Sequence, residues 1–230
     1  MSLGPIHVIR QKNICSAAVI FLHGSGDTGQ GVLDWLKFLV GDFALPHIKF
    51  YFPTAPLIPY TPSNGELSNV WFDRYDITPE VPEHEESLNV ISQEIQGLIK
   101  TIRKDDNLPL HKIVVGGFSM GGALALHTAY RFSPGLAGAF TLSSFLNTDS
   151  AVYKQGQAFD TPLFMCHGDR DTMVPLSWGH KTHENLKKLG IDAEFHVIKN
   201  TMHEMKKHEI LNLFQWIQKI LSEKRQTDSQ

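Results

Sequence analysis

The sequence predicts an α/β fold: a mainly parallel, twisted sheet with helices on both faces. Two observations carry that expectation. Apolar, β-rich runs alternate with segments of helical period, which is the pattern of strands joined by crossover helices. Several of the runs are apolar nearly throughout, as strands covered on both faces must be. At 230 residues the chain is long enough for one such domain with a well-buried core. We expect a single domain over residues 1–230, with a polar, frayed C-terminal tail at about 222–230.

The expected strands, in order, are Ser16 to Leu22 (SAAVIFL), Ile48 to Phe52 (IKFYF), Lys112 to Val115 (KIVV), Leu136 to Leu142 (LAGAFTL), Pro162 to Cys166 (PLFMC) and Ala193 to Ile198 (AEFHVI). The expected helices are Gly31 to Val40, His84 to Lys104, Met120 to Arg131, Trp178 to Leu189 and Glu204 to Lys224. The second helix spaces Leu88, Ile91, Ile95, Leu98 and Ile102 three or four apart on one face. The last repeats the pattern with Ile210, Leu213, Phe214, Ile217 and Leu221. Between Pro53 and Pro82 the period disappears. Pro53, Pro56, Pro59, Pro62, Pro79 and Pro82 fall there, with Pro46 just upstream. A long stiff loop inside a compact domain usually carries function.

Composition narrows the partners. A net charge of -3 gives no electrostatic footprint for nucleic acid or an anionic surface. No apolar run approaches the length of a membrane span. The start, MSLGPIHVIRQKN, does not read as a signal peptide, and Ser2 offers no myristoylation or palmitoylation signal. The cysteines, Cys15 and Cys166, each sit in an apolar stretch and are expected to be buried and reduced. A cytoplasmic setting follows as the expectation.

Chemistry enters at residues 113–129, IVVGGFSMGGALALHTA. Gly117-Phe118-Ser119-Met120-Gly121 matches G-x-S-x-G, a pentapeptide common enough by chance to mean little alone. Its position between a strand signal and a helix signal gives it weight. A serine on a tight strand-to-helix turn has its hydroxyl lifted from the sheet edge, with a helix N-terminus beside it. Glycines two before and two after leave room for that turn. Ser119 is therefore the candidate nucleophile.

The order serine, acid, histidine then selects among the remaining residues. Asp169 and Asp171, in CHGDRDTMVP, follow a strand and lie on the same sheet edge as the serine. Asp171 is preferred, because Asp169 could tie down its own turn. His203 sits in the loop after the last strand, while the other late histidines fall within a strand or within helices. A zinc reading of His203-Glu204 with His208 fails on spacing, since that motif needs histidines four apart. No metal or cofactor is expected. After the first strand, HGSGD (23–27) would supply the Ser25 N–H of an oxyanion hole, with Met120 N–H as the second donor. The same turn could also simply cap the next helix through Asp27 or Thr28. His23 reads as a structural hydrogen-bonder.

With these residues in hand, the chain resembles the acyl-protein thioesterase and lysophospholipase family of small carboxylesterases, on the α/β-hydrolase fold, and within it the lysophospholipase-like subgroup. The matching stretches are VIFLHGSGDTGQG (19–31), FPTAP (52–56), SNVWFD (68–73), GGFSMGGALALH (116–127), LSSFLN (142–147), CHGDRDTMVP (166–175) and MHE (202–204). The resemblance implies a triad of Ser119, Asp171 and His203, oxyanion donors at Ser25 and Met120, and Trp71 lining the substrate groove. It implies a small acyl ester or thioester, or an S-acylated protein, as substrate. Two departures bear on the groove: Ser25 stands where the family commonly has leucine, and Met120 where it has glutamine. The subgroup resembled is associated with short acyl chains, which argues for a short-acyl preference over depalmitoylation.

Overall fold

The computed structural model describes residues 2–155 and 160–227, with side chains described to residue 222. Seven strands form one sheet in the order β1-β3-β2-β6-β7-β8-β9. They are β1 (Ile6–Ile9), β2 (Ala17–Leu22), β3 (Ile48–Pro53), β6 (Ile113–Phe118), β7 (Gly138–Leu142), β8 (Leu163–Gly168) and β9 (Ala193–Ile198). All neighbours pair in parallel except β1, which runs antiparallel to β3 at the edge. Helices α1 (Gly29–Val40), α2 (Glu85–Asp105), α3 (Met120–His127), α4 (Leu176–Lys188) and α5 (Lys207–Thr227) complete the fold.

Side-chain alternation along β2 divides the core. Ala17, Val19 and Phe21 pack with Val32 and Leu36 of α1 and Leu213 and Ile217 of α5. Ala18, Ile20 and Leu22 face the other way, onto Leu88, Ile91 and Ile95 of α2, Leu124 of α3 and Leu186 of α4. Each buried Leu or Ile contributes about 1.5–3 kcal/mol relative to exposure. Two apolar faces thus lock the sheet between helical layers, as the pattern of the sequence demands.

Several boundaries differ from the sequence expectation. β6 runs on through Gly116 and Gly117 to Phe118, although glycine is usually depleted in strands. Packing explains it: a Cβ on Gly116 would lie 2.2 Å from the Phe140 ring, and one on Gly117 would lie 2.4 Å from the Leu22 carbonyl. β1 went unread because its four residues are half exposed at an edge. The proline-rich segment contains an antiparallel hairpin, β4 (Leu57–Tyr60) with β5 (Glu66–Asn69), where Pro59 is tolerated because the ribbon has no central strand. The expected helix Met120 to Arg131 is α only to His127; Thr128–Phe132 then forms a wider turn closed by Ser133 N–H donating to the Thr128 carbonyl at 2.7 Å. α5 starts at Lys207, three residues late, and continues to Thr227 across much of the expected tail; residues 228–230 lie outside the described residues.

Candidate active site

Because β2 and β6 to β9 run parallel, the loops leaving their C-terminal ends emerge on one edge of the sheet. Ser25 follows β2, Ser119 follows β6, Phe145 follows β7, Asp171 follows β8 and His203 follows β9. Five loops therefore meet at one place. Ser25, Ser119, Met120, Phe145 and His203 line a common cavity of about 280 Å³.

Ser119 sits at φ 53, ψ -121, a conformation that costs a non-glycine residue about 1–3 kcal/mol. The surroundings hold it there. Ser119 N–H donates to the Leu142 carbonyl at 2.8 Å, and its own carbonyl accepts from Gly122 N–H at 3.0 Å. A Cβ on Gly121 would come within 2.3 Å of the Leu22 carbonyl, so glycine there lets α3 start against β2. Met120 opens α3, and its N–H has no intrahelical acceptor.

Asp171 is buried, with Oδ1 accepting from Met173 N–H at 3.0 Å and Val174 N–H at 2.8 Å. Oδ2 is left for the imidazole: His203 Nδ1 lies 2.7 Å away. Burial alone would push the carboxyl pKa up, but the hydrogen bonds from His203 and Val174 N–H outweigh it and hold the carboxyl below its usual range. The His203 ring rests on Phe118 with centroids 4.7 Å apart. Asp169 is exposed and serves differently from the expected turn within its own loop. Its Oδ1 accepts from Thr201 N–H at 3.4 Å, and Arg170 N–H donates to the Thr201 carbonyl at 3.0 Å. These bonds lace the Asp171 loop to the His203 loop. Gly168 makes that approach feasible, since a Cβ there would lie 2.3 Å from the Thr201 carbonyl.

His23 is wholly buried and structural. Its Nε2 accepts from Ala55 N–H at 2.9 Å, which leaves the proton on Nδ1, facing the Gly24 carbonyl at 2.7 Å. Burial lowers its pKa and keeps the ring neutral. The turn beyond does cap α1: Thr28 Oγ1 accepts from Gly31 N–H at 3.0 Å.

Trp71 requires a correction. It does not line the cavity; its ring is wholly buried, tilted against the His23 ring with centroids 4.8 Å apart, and the indole N–H donates to the His23 carbonyl at 2.8 Å. A buried indole needs an acceptor, and the loop after β2 supplies it. Trp71 supports the wall from behind. The residues of the 53–82 segment that do reach the cavity are Tyr60, Arg74 and Ile77, which sequence reasoning did not single out. The only pointer to them was the proline-rich segment itself. His167 was also missed: buried at the end of β8, four residues before Asp171, its Nε2 donates to the Val174 carbonyl at 2.8 Å and steadies the same loop.

The phospholipase/carboxylesterase family pattern matches residues 4–221. The chain is 47% identical over 206 residues to lysophospholipase-like protein 1 of Mus musculus, covering 88% of this chain and 86% of that one. It is 33% identical over 230 residues to acyl-protein thioesterase 1 of Candida albicans, covering 96% and 99%. The crystal structure of Zea mays acyl-protein thioesterase 2 superposes with a TM-score of 0.81 at 28% identity, covering 95% of this chain and 99% of that one. An elbow serine, a sheet of this order and matches that span nearly the whole chain leave one assignment: the protein belongs to the phospholipase/carboxylesterase family and is a hydrolase of the α/β-hydrolase fold.

Proposed function

We propose that the protein cleaves carboxylic esters or thioesters of short acyl chains through an acyl-enzyme, with Ser119 as nucleophile, His203 as base and Asp171 as the carboxylate that orients it. The observation that carries this reading is the 2.7 Å contact from His203 Nδ1 to a buried Asp171 whose other oxygen is already saturated by backbone donors. That contact keeps the Nδ1 proton in place and leaves Nε2 to accept from the Ser119 hydroxyl. Ser119 Oγ attacks the carbonyl carbon, and the C–O or C–S bond breaks as His203 returns the proton to the leaving group. Water, deprotonated by the same imidazole, then releases the acid. The N–H groups of Ser25 and Met120 serve as oxyanion donors, each worth about 2.7–4 kcal/mol at the transition state.

The short-acyl preference draws support from the cavity volume of about 280 Å³ and from its walls, Tyr60, Ile77, Phe145 and Met120. The names of the relatives, lysophospholipase-like protein and acyl-protein thioesterase, point to acyl esters and S-acylated proteins as the neighbouring substrate classes. A cytoplasmic setting fits the two unpaired cysteines, Cys15 and Cys166.

A fluorophosphonate probe should label the wild type, and Ser119→Ala should abolish labelling and turnover together. Labelling that persists in Ser119→Ala would end the assignment. Among 4-nitrophenyl esters from acetyl to palmitoyl, kcat/KM should peak at a short chain. Each methylene that fits adds at most about 0.8 kcal/mol, and the first that does not fit reverses the trend.

A further inference from the structure

Arg74 is a buried charge in need of a partner. It is 6% exposed, yet it lines the cavity that holds Ser119. Its guanidinium lies between the rings of Phe72 and Phe145, 5.0 and 4.8 Å from their centroids. Nη1 is buried with no hydrogen-bond partner. Among the described residues no carboxylate forms an ion pair with the guanidinium. Glu83, across a backbone bridge from Arg74, is occupied: Oε1 meets His127 Nε2 at 2.9 Å and Oε2 accepts from Ala151 N–H at 3.0 Å. Asp27, on the same cavity, accepts from Thr28 N–H at 2.7 Å.

Buried guanidinium groups are almost always paired, because an unpaired one forfeits hydration with nothing in return. The backbone holds Arg74 firmly all the same. Its N–H donates to Asp73 Oδ1 at 2.9 Å, Asp73 also accepts from Thr61 N–H at 2.9 Å, and Arg74 bridges to Glu83. Two aromatic rings flank the fork. Such a fork matches a carboxylate in two parallel hydrogen bonds.

We propose that Arg74 binds a carboxylate of the substrate, so that the esters handled best carry a free carboxylate close to the scissile bond. This rests on the esterase reading above and narrows its substrate class. The carboxylate could sit at the far end of a short acyl chain or on the leaving group; the chemistry at Arg74 is the same, and two ester pairs separate the sources.

The first pair sets monomethyl succinate against methyl pentanoate. The second sets 4-acetoxyphenylacetate against phenyl acetate. In the wild type we expect kcat/KM for the anionic member of one pair to exceed its neutral partner by about tenfold or more, as for a charge-assisted hydrogen bond. Arg74→Gln should bring that ratio to near one, and Arg74→Lys should keep part of it. A wild-type ratio at or below one in both pairs, or a preference that survives Arg74→Gln, would overturn the proposal. Neutral esters hydrolysed by the wild type and not by Ser119→Ala would, in that event, leave the esterase reading standing. Should no ester react, that reading falls and the carboxylate site is judged by binding. Succinate or 4-hydroxyphenylacetate must then raise the Tm of the wild type and not of Arg74→Gln, and no shift in the wild type sinks the site. If Arg74→Gln fails to melt cooperatively, the wild-type ratios and Arg74→Lys decide.

Discussion

At Asp171 the two oxygens have separate jobs, and a single substitution can tell them apart. Oδ1 accepts from two backbone N–H groups while Oδ2 faces His203 Nδ1. In Asp171→Asn the amide oxygen must stay with Met173 and Val174 N–H, which turns the amide NH₂ toward His203. The imidazole then accepts at Nδ1 and carries its proton on Nε2, where it can no longer take one from Ser119. We expect kcat to fall roughly 10³- to 10⁴-fold with the fold intact. Asp169→Asn is the control. An amide oxygen there can still accept from Thr201 N–H, and activity should stay within about threefold of wild type, a change worth less than 1 kcal/mol. Kinetics on a 4-nitrophenyl ester and a melting curve for each variant make the comparison; equal losses in both would refute the division of roles.

Elements meet at glycines, and the two helices α2 and α3 show opposite consequences. Gly121→Ala would gain helix propensity, but its Cβ would lie 2.3 Å from the Leu22 carbonyl and 2.6 Å from that of His23. Backbone cannot yield as a side chain can, so the clash prevails. We expect destabilisation of about 1–3 kcal/mol in denaturant unfolding, with activity reduced because Ser25 and Met120 are pushed apart. Gly97, exposed in α2 with nothing within 4 Å of a Cβ, should respond the other way. Gly97→Ala should stabilise by up to about 1 kcal/mol. Equal effects at both sites would contradict the packing account. The same contrast says what the sequence could reveal of its elements. β2, β3, β7 and β8 announced themselves because burial on both faces leaves nearly continuous apolar runs. β6 past Val115 did not, because Gly116 and Gly117 are chosen for what approaches them across the sheet. β1 and the hairpin of β4 and β5 are four-residue, partly exposed strands, too short for a period to mark them.

For the molecule as a whole, Ser119, Asp171 and His203 could be read because motif order and strand ends define one rim. Tyr60, Arg74 and Ile77 could not, since only tertiary folding of the 53–82 segment brings them to it. Two carboxylates that do not line the cavity shape the stability of the entire protein. Glu83 is desolvated, which would raise its pKa, but its hydrogen bond to His127 and those from the Ser150 and Ala151 region bring it down to about 2. A depressed folded pKa stabilises above the unfolded value near 4.5, and the contribution is lost as pH falls from there toward 2. Glu209 is the reverse. Burial raises it to about 7, against the pull of Lys206, whose N–H donates to Oε2 at 3.0 Å at the start of α5. Its protonated form is favoured in the folded state, so this contribution is complete below about 4.5 and is lost as pH rises through 7. Glu83 thus weakens the fold in acid and Glu209 weakens it in alkali, and the buried imidazoles of His23, His127 and His167, which burial holds below their usual range, add to the loss in acid. Glu209→Gln keeps an acceptor for Lys206 N–H without the buried charge, and it should raise Tm at pH 8 while leaving it nearly unchanged at pH 4. Glu83→Gln should act oppositely, lowering Tm at pH 7 while weakening the decline below pH 4.5. Melting curves of the three proteins from pH 3 to 9 test this directly, and a Glu209→Gln variant no more stable than wild type at pH 8 would show that α5 does not bury a titrating carboxylate.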